Sequence, residues 1–256
     1  MTQPPNAAVD AARTKAHVGP FVIFMALIAV PDVLALCGIE IPDANNSDAA
    51  WWSVPQIWMY SLQTFACAIA LWWWRKHYEF RPASGILPGI AFGIVGIAFW
   101  VLPGHLFQLW EMDEGWWQYL GFTARDEGYN PAELRTHGDT IYAAFLAMRF
   151  CRLVLVVPLI EEIFWRSFLM RILVDPEGDF WKVPFGTFHV RSLVVVTGLF
   201  VIAHSSADYS GALIYGLLTY WLAVKFKSLT GCVVMHATAN LLLGIYVLQT
   251  EQWGYW

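Results

Sequence analysis

Two adjacent glutamates stand in the apolar stretch VPLIEEIFWRSFL, residues 157–169. Arg166 follows Glu162 by four residues, so on a helix these two side chains share one face and can form an ion pair. Glu161 is rotated by about 100° around the same helix and faces elsewhere. One carboxylate can therefore be neutralised locally, while its neighbour is available as a general base or acid.

Two histidines and an asparagine in later apolar segments extend this set. His204 ends the sequence FVIAH, and His236 and Asn240 begin and end the sequence HATAN, where they share a helical face. An ionisable side chain near the middle of a membrane costs about 2.5–3.5 kcal/mol on insertion scales, so such residues require a reason. We expect three helices to converge on one polar cavity that holds these residues together with Glu161.

Two chemistries fit this set of side chains. In the first, Glu161 and His204 activate a water molecule that attacks an amide. His236 and Asn240 then donate hydrogen bonds to the resulting oxyanion. In the second, Glu161, His204 and His236 ligate a zinc ion whose bound water attacks. No pair among them has the H-E-x-x-H spacing of common zinc proteases. Because both chemistries stay open, the expected cofactor is either none or zinc.

The three motifs EEIFWR, FVIAH and HATAN together resemble the signature of the CAAX prenyl protease and bacteriocin-processing family of intramembrane proteases. That signature reads E-E-x-x-x-R, then F-x-x-x-H, then H-x-x-x-N or D, and it is complete and in order over about residues 140–245. The resemblance implies peptide-bond hydrolysis within the membrane. By this resemblance, Glu161 and His204 would activate the water, and His236 and Asn240 would stabilise the oxyanion. Glu162 and Arg166 would support the site.

A narrower resemblance is to the CAAX-protease-related proteins found beside bacterial exosortase systems. Eukaryotic family members remove three residues after a prenylated cysteine, whereas bacterial members often lack such substrates. The expected partner is therefore a membrane-associated protein or peptide, with a lipidated, CAAX-like protein as one form. Two other functions stay open: a transporter or proton relay that uses the same Glu and His residues, and a non-catalytic scaffold or immunity protein on the protease fold.

The composition of the chain is that of an integral membrane protein. Its 256 residues are 58% hydrophobic and only 14% charged, and the mean hydropathy is +0.49. Soluble domains carry about a quarter charged residues. The net charge of −5 and the scattered basic residues give no reason to expect nucleic-acid binding. The four cysteines lie in or beside apolar runs without C-x-x-C spacing, which favours small packed residues over disulfides or a zinc site.

Seven apolar segments are candidates for membrane spans, since a crossing helix needs roughly 20 residues. They lie at about 18–38, 53–74, 84–103, 139–173, 191–206, 211–224 and 229–249. Lys and Arg are concentrated in alternate loops, which predicts a cytoplasmic N-terminus, and the short loops suit a bacterial inner membrane. In this topology His204 and His236 lie at different depths. Either shifted or tilted helices bring them level, or the predicted boundary near residues 189–191 is wrong.

The sequence therefore predicts an all-α polytopic bundle with its active-site cavity within the membrane. It divides into a cytoplasmic tail (1–17), the first three spans with an acidic outer loop (18–138) and a protease core (139–250), all in one membrane domain. The outer loop is expected to carry a surface helix around HLFQLWEM. His17 falls in the tail and is expected to be solvated.

Overall fold

The computed structural model describes residues 7–39, 54–125 and 128–256, and within these ranges it is an all-α bundle without strands, as predicted. Short 3₁₀ turns connect the principal helices. In chain order these are α1 (Ala7–Ile28), α2 (Val30–Leu36), α3 (Pro55–Trp74), α4 (Ile86–Leu109), α5 (Asp139–Val174), α6 (Val190–Ile202), α7 (Tyr209–Phe226) and α8 (Leu229–Thr250).

Four helices in the described ranges are long and apolar enough to cross a membrane. They are Ala8–Ile28, Ile86–Leu109, Asp139–Val174 and Leu229–Thr250. These helices correspond to the first, third, fourth and seventh predicted spans. The other three predicted spans coincide with α3, α6 and α7, which are not among these four. The count of seven spans and the cytoplasmic N-terminus therefore stay predictions.

Two helices at the N-terminal side run further than the hydrophobic pattern indicates. Helix α1 begins at Ala7, inside the predicted tail. Helix α4 continues through Pro103 to Leu109, so the prediction of a separate surface helix around HLFQLWEM is wrong. A proline is tolerated inside a membrane helix because neighbouring groups satisfy the carbonyl that it leaves free.

The burial of His17 also contradicts its expected solvation. Its side chain is 1% exposed, because α1 is already helical at this position and packs against other elements. The imidazole lies 4.7 Å from the Trp181 ring and 5.5 Å from the Tyr78 ring, measured between centroids. Its Nδ1 is 2.8 Å from the carbonyl oxygen of Arg13. His17 is therefore a packing residue rather than part of a solvated tail.

Helix α5 has nearly the predicted bounds of 139–173 but is not a regular α-helix. Two π-helical stretches, Arg152–Val156 and Ile163–Leu169, flank the two glutamates. In a π turn a backbone N–H reaches the carbonyl five residues back, and such turns are frequent at functional sites. The two stretches change which side chains of α5 face its neighbours.

Helix α8 packs against α4 with the two backbones in close approach. A Cβ atom at Gly89 would lie 2.5 Å from the carbonyl oxygen of Gly231, and one at Gly93 would lie 2.6 Å from that of Met235. Small residues permit such approach between membrane helices. This contact fixes α8, which carries His236, relative to the rest of the bundle.

Candidate active site

One cavity of about 190 Å³ contains the side chains that the sequence predicted to be catalytic. They are contributed by α5, by the residues just after α6, and by α8, and they are Glu161, His204, His236 and Asn240. Glu161 and Asn240 are half-buried, so both reach the cavity from the edge of the packed core. The structure therefore brings together the residues of all three motifs.

Glu162 lies behind this cavity and makes two charged contacts. Its side chain is completely buried and accepts a hydrogen bond from Arg166 Nε at 3.2 Å, the i, i+4 pair expected from the sequence. Its second oxygen, Oε1, accepts a hydrogen bond from His236 Nδ1 at 3.0 Å. The two adjacent glutamates thus differ: Glu162 is bonded within the protein, whereas Glu161 faces the cavity.

His204 reaches the cavity from the end of α6 rather than from within a span. The predicted segment 191–206 is helical only to Ile202, so His204 follows the helix C-terminus. Its Nδ1–H donates to the carbonyl oxygen of Phe200 at 2.7 Å. Because a carbonyl can only accept, the neutral ring carries its proton on Nδ1 and its lone pair on Nε2. The early end of α6 accounts for how His204 shares a cavity with His236.

Asn240 compensates for a break in the hydrogen bonding of α5. In the first π-helical stretch the N–H of Val157 donates to the carbonyl of Arg152. In the same register the next carbonyl, that of Leu153, would require an N–H from Pro158, which has none. The Asn240 Nδ2 group donates to this carbonyl at 2.8 Å. The amide of Asn240 therefore satisfies a half-buried carbonyl that the proline leaves unpaired.

Sequence reasoning missed several polar groups that line the cavity or contact its lining. Asp208 accepts hydrogen bonds from Trp100 Nε1 at 3.0 Å and from Arg125 Nη2 at 2.8 Å. The Arg125 guanidinium lies over the Tyr255 ring, and burial raises the pKa of the Tyr255 hydroxyl, so that it remains neutral. The only sequence signal for this group was that Asp208 follows His204 by four residues. The other partners are far apart in the chain.

The zinc hypothesis required Glu161, His204 and His236 as ligands. All three line the cavity, but within the described ranges no three His, Cys, Asp or Glu side chains are grouped as a metal site. Zinc needs its nitrogen and oxygen ligands at about 2.0–2.2 Å from one point. As they stand, these described side chains do not form such a ligand set.

Comparisons with known proteins bear directly on these motifs. Residues 143–242 match the Rce1-like family model, which is described as type II CAAX prenyl endopeptidase. Searches of curated proteins and of solved structures found no match. The matched segment includes all three motifs, whereas the exosortase-associated subgroup stays a prediction. The resemblance carried by the motifs is therefore confirmed: residues 143–242 of this integral membrane protein are similar to the CAAX prenyl endopeptidase family.

Proposed function

We propose that the protein hydrolyses a peptide bond of a membrane-associated protein, using a water molecule activated by Glu161 and His204. One observation carries this proposal. The side chains of Glu161, His204, His236 and Asn240 line a single cavity inside a segment of the CAAX endopeptidase family. Hydrolysis needs a base for the water and donors for the oxyanion, and these four residue types supply both.

We assign water activation to Glu161 and His204, because the Glu161 carboxylate and the His204 Nε2 atom accept no hydrogen bond from the described part of the chain. The Glu161 carboxylate takes a proton from the water as the water oxygen bonds to the carbonyl carbon of the substrate. His204, with its proton held on Nδ1 by the Phe200 carbonyl, offers Nε2 to orient the same water. The proton on Glu161 then passes to the leaving amine as the C–N bond breaks.

Oxyanion stabilisation falls to the two side chains of α8. With both ring nitrogens protonated, His236 donates Nδ1–H to Glu162 and Nε2–H to the oxyanion, and Glu162 serves as its counter-ion. Asn240 carries two amide hydrogens, of which Leu153 takes one and the oxyanion takes the other. Loss of one such donor typically lowers the rate by ~10²–10³-fold.

The first test is a comparison of protein termini in membranes that contain either the native protein or the Glu161→Gln variant. We expect at least one membrane protein to be trimmed only where the native protein is present, because the variant lacks the base. Purified protein in lipid nanodiscs should then cleave that substrate at a rate that a metal chelator leaves unchanged. Identical termini in both membranes would contradict the proposal, and loss of cleavage on chelation would contradict its metal-free form.

A further inference from the structure

The imidazole of His204 is held between two aromatic rings. Its centroid lies 4.6 Å from that of the Phe200 ring and 5.1 Å from that of the Trp100 ring. Phe200 is on α6, in the last turn before His204, so these two residues belong to one segment. Trp100 is on α4 and is therefore the contact that fixes the imidazole relative to another helix. The orientation of His204 thus depends on that of Trp100.

The indole of Trp100 is fixed both at its edge and on its face. Its Nε1–H donates a hydrogen bond to Asp208 Oδ1 at 3.0 Å. Its face rests on the backbone of α7, because a Cβ atom at Gly211 would lie 3.0 Å from Cγ and Cδ2 of the indole. Hydrogen bonds weaken steeply when the donor turns away from the acceptor, so the bond to Asp208 selects one orientation of the ring.

Asp208 is itself fixed, because both of its carboxylate oxygens accept hydrogen bonds. Oδ1 accepts from Arg125 Nη2 at 2.8 Å as well as from Trp100, and Oδ2 accepts from the Ser205 hydroxyl. Arg125 is 5% exposed and also donates to the carbonyl oxygen of Ala207 at 2.6 Å. Asp208 lines the catalytic cavity, but a carboxylate occupied in this way is poorly placed to take a proton from water. Its contacts suit a role in positioning instead.

The reaction proposed above requires a defined orientation of His204. Its Nδ1–H donates to the Phe200 carbonyl oxygen, which leaves Nε2 as the atom that orients the water. Rotation of the ring would break this bond and turn Nε2 away from the water. Misplacement of a catalytic group by about 1 Å can lower a rate by ~10²-fold. Residues that hold this ring therefore affect the rate without touching the reacting atoms.

Building on the function proposed above, we propose that Trp100 and Asp208 are positioning residues for His204. Asp208 anchors the indole of Trp100, and the indole keeps the imidazole in the orientation that presents Nε2 to the water. Arg125 holds the carboxylate of Asp208 in place. We call these three residues the brace. The brace gives a fixed orientation to a histidine that lies beyond the end of its helix.

The first test measures cleavage by the full-length protein in lipid nanodiscs, with the substrate found by terminus analysis. Trp100→Phe removes the indole N–H, and we expect kcat to fall by about 10–100-fold with KM unchanged, because only the orientation of the water is lost. Asp208→Ala should give the same loss. Asp208→Asn should keep most of the rate, because its amide oxygen still accepts from Trp100. A raised KM with unchanged kcat in Trp100→Phe would indicate a contact with the substrate and would overturn the inference.

A double-mutant cycle tests whether the brace acts through His204. In a protein that already carries His204→Ala, the substitution Trp100→Phe should have no further effect on kcat, because no imidazole is left to be oriented. If Trp100→Phe lowered kcat by the same factor in both backgrounds, Trp100 would act independently of His204. That result would contradict a positioning role.

Trp181 provides a matched control in another part of the bundle. Its Nε1–H donates to Thr14 Oγ1 at 3.2 Å, and its ring lies 4.7 Å from that of His17, so it also joins a hydrogen-bond acceptor to a histidine. His17 does not line the catalytic cavity. Trp181→Phe should therefore leave kcat and KM unchanged. A fall in kcat as large as that of Trp100→Phe would reflect general loosening of the bundle and would count against the brace.

Nitrogen NMR of isotope-labelled histidine rings reports the orientation of His204 without any cleavage. In the native protein His204 should appear as one species protonated on Nδ1, with its signal assigned by its loss in His204→Ala. Trp100→Phe should broaden this signal or add a species protonated on Nε2, because the ring is no longer held at the Phe200 carbonyl. The His17 signal should not change and serves as the internal reference. An unchanged His204 signal in both Trp100→Phe and Asp208→Ala would overturn the inference.

The two readouts separate this inference from the proposed function. If the native protein cleaves no substrate, the proposed function is overturned, and the catalytic role of the brace with it, even where the NMR signal responds to Trp100→Phe. If the native protein cleaves its substrate and the signal responds while kcat does not, only the brace is overturned. If Asp208→Ala does not fold, because Arg125 loses its counter-ion, Trp100→Phe and Asp208→Asn decide the result.

Discussion

Two sets of charged side chains on α5 differ in whether they form ion pairs. In one, Glu162 is fully buried and bonded to both Arg166 and His236. In the other, Arg149 and Arg152 form no ion pair in the described ranges. Removing an ion from water costs several kcal/mol unless a counter-ion repays it. The comparison separates charges that are paired within the fold from charges that form no ion pair in the described ranges.

The largest effect on the free energy of unfolding is expected for Glu162→Ala, which removes the acidic member of the paired set. Arg166 and His236 would lose their shared counter-ion, so we expect the free energy of unfolding to fall by about 3–5 kcal/mol. Glu161→Ala is the matched control and should lower the free energy of unfolding much less, because that side chain faces the cavity and forms no ion pair in the described ranges. Unfolding of both variants in detergent micelles measures the difference, and equal losses would contradict it.

Arg152→Leu tests the unpaired set and should act in the opposite direction. It removes a half-buried cation that forms no ion pair in the described ranges, so we expect the free energy of unfolding to stay the same or to rise. Arg166→Leu, from the paired set, should lower stability because it leaves Glu162 without its arginine. If Arg152→Leu destabilised the protein as strongly as Arg166→Leu, the two sets would not differ in the proposed way.

Substitution of Asn240 tests the segment of α5 between the two sets, where Leu153 and Pro158 lie. Asn240→Ala leaves the Leu153 carbonyl without a donor and should lower stability by about 1–3 kcal/mol. Pro158→Ala supplies a backbone N–H, so the second substitution should make the loss of Asn240 less costly. A double-mutant cycle measures this coupling. Additive effects of the two substitutions would show that the carbonyl and the proline are independent.

The smallest change in stability is expected at an exposed ion pair, which serves as a reference for the buried ion pairs. Arg13 Nη2 lies 2.9 Å from Glu79 Oε1, but the Glu79 side chain is 68% exposed. Water and salt screen such a pair, so Glu79→Gln should change stability by about 0–1 kcal/mol. The same unfolding assay detects it, and a loss as large as that of Glu162→Ala would mean that burial does not govern these energies.

The parts of the site that depend on local spacing were predictable from sequence. The bond between Glu162 and Arg166 follows from their separation of four residues, and the bounds of α5 follow from one long apolar run ended by polar residues. The convergence of the three motifs was expected from the cost of ionisable side chains in a membrane and from the family resemblance, but not from the spacing of residues within each motif. Spacing within each motif fixes a helical face, but it does not fix how the helices pack.

The rest depended on contacts that a hydrophobic pattern does not encode. The π-helical register of α5, and so the bond from Asn240 to Leu153, arises from packing and from the missing N–H of Pro158. The ion pair of Asp208 and Arg125 joins residues more than eighty positions apart. Pairs at such separations leave no periodic signal in one sequence.

The contact between α4 and α8 has a consequence for the kinetics of substrate access. Where Gly89 and Gly93 bring the two backbones together, no intervening side chain can rotate out of the way. Side-chain rotations take picoseconds to nanoseconds, whereas shifts of whole helices take microseconds to milliseconds. Opening this seam would require a shift of a whole helix, whereas a wall closed by side chains can open without one. A substrate would enter through a wall closed only by side chains.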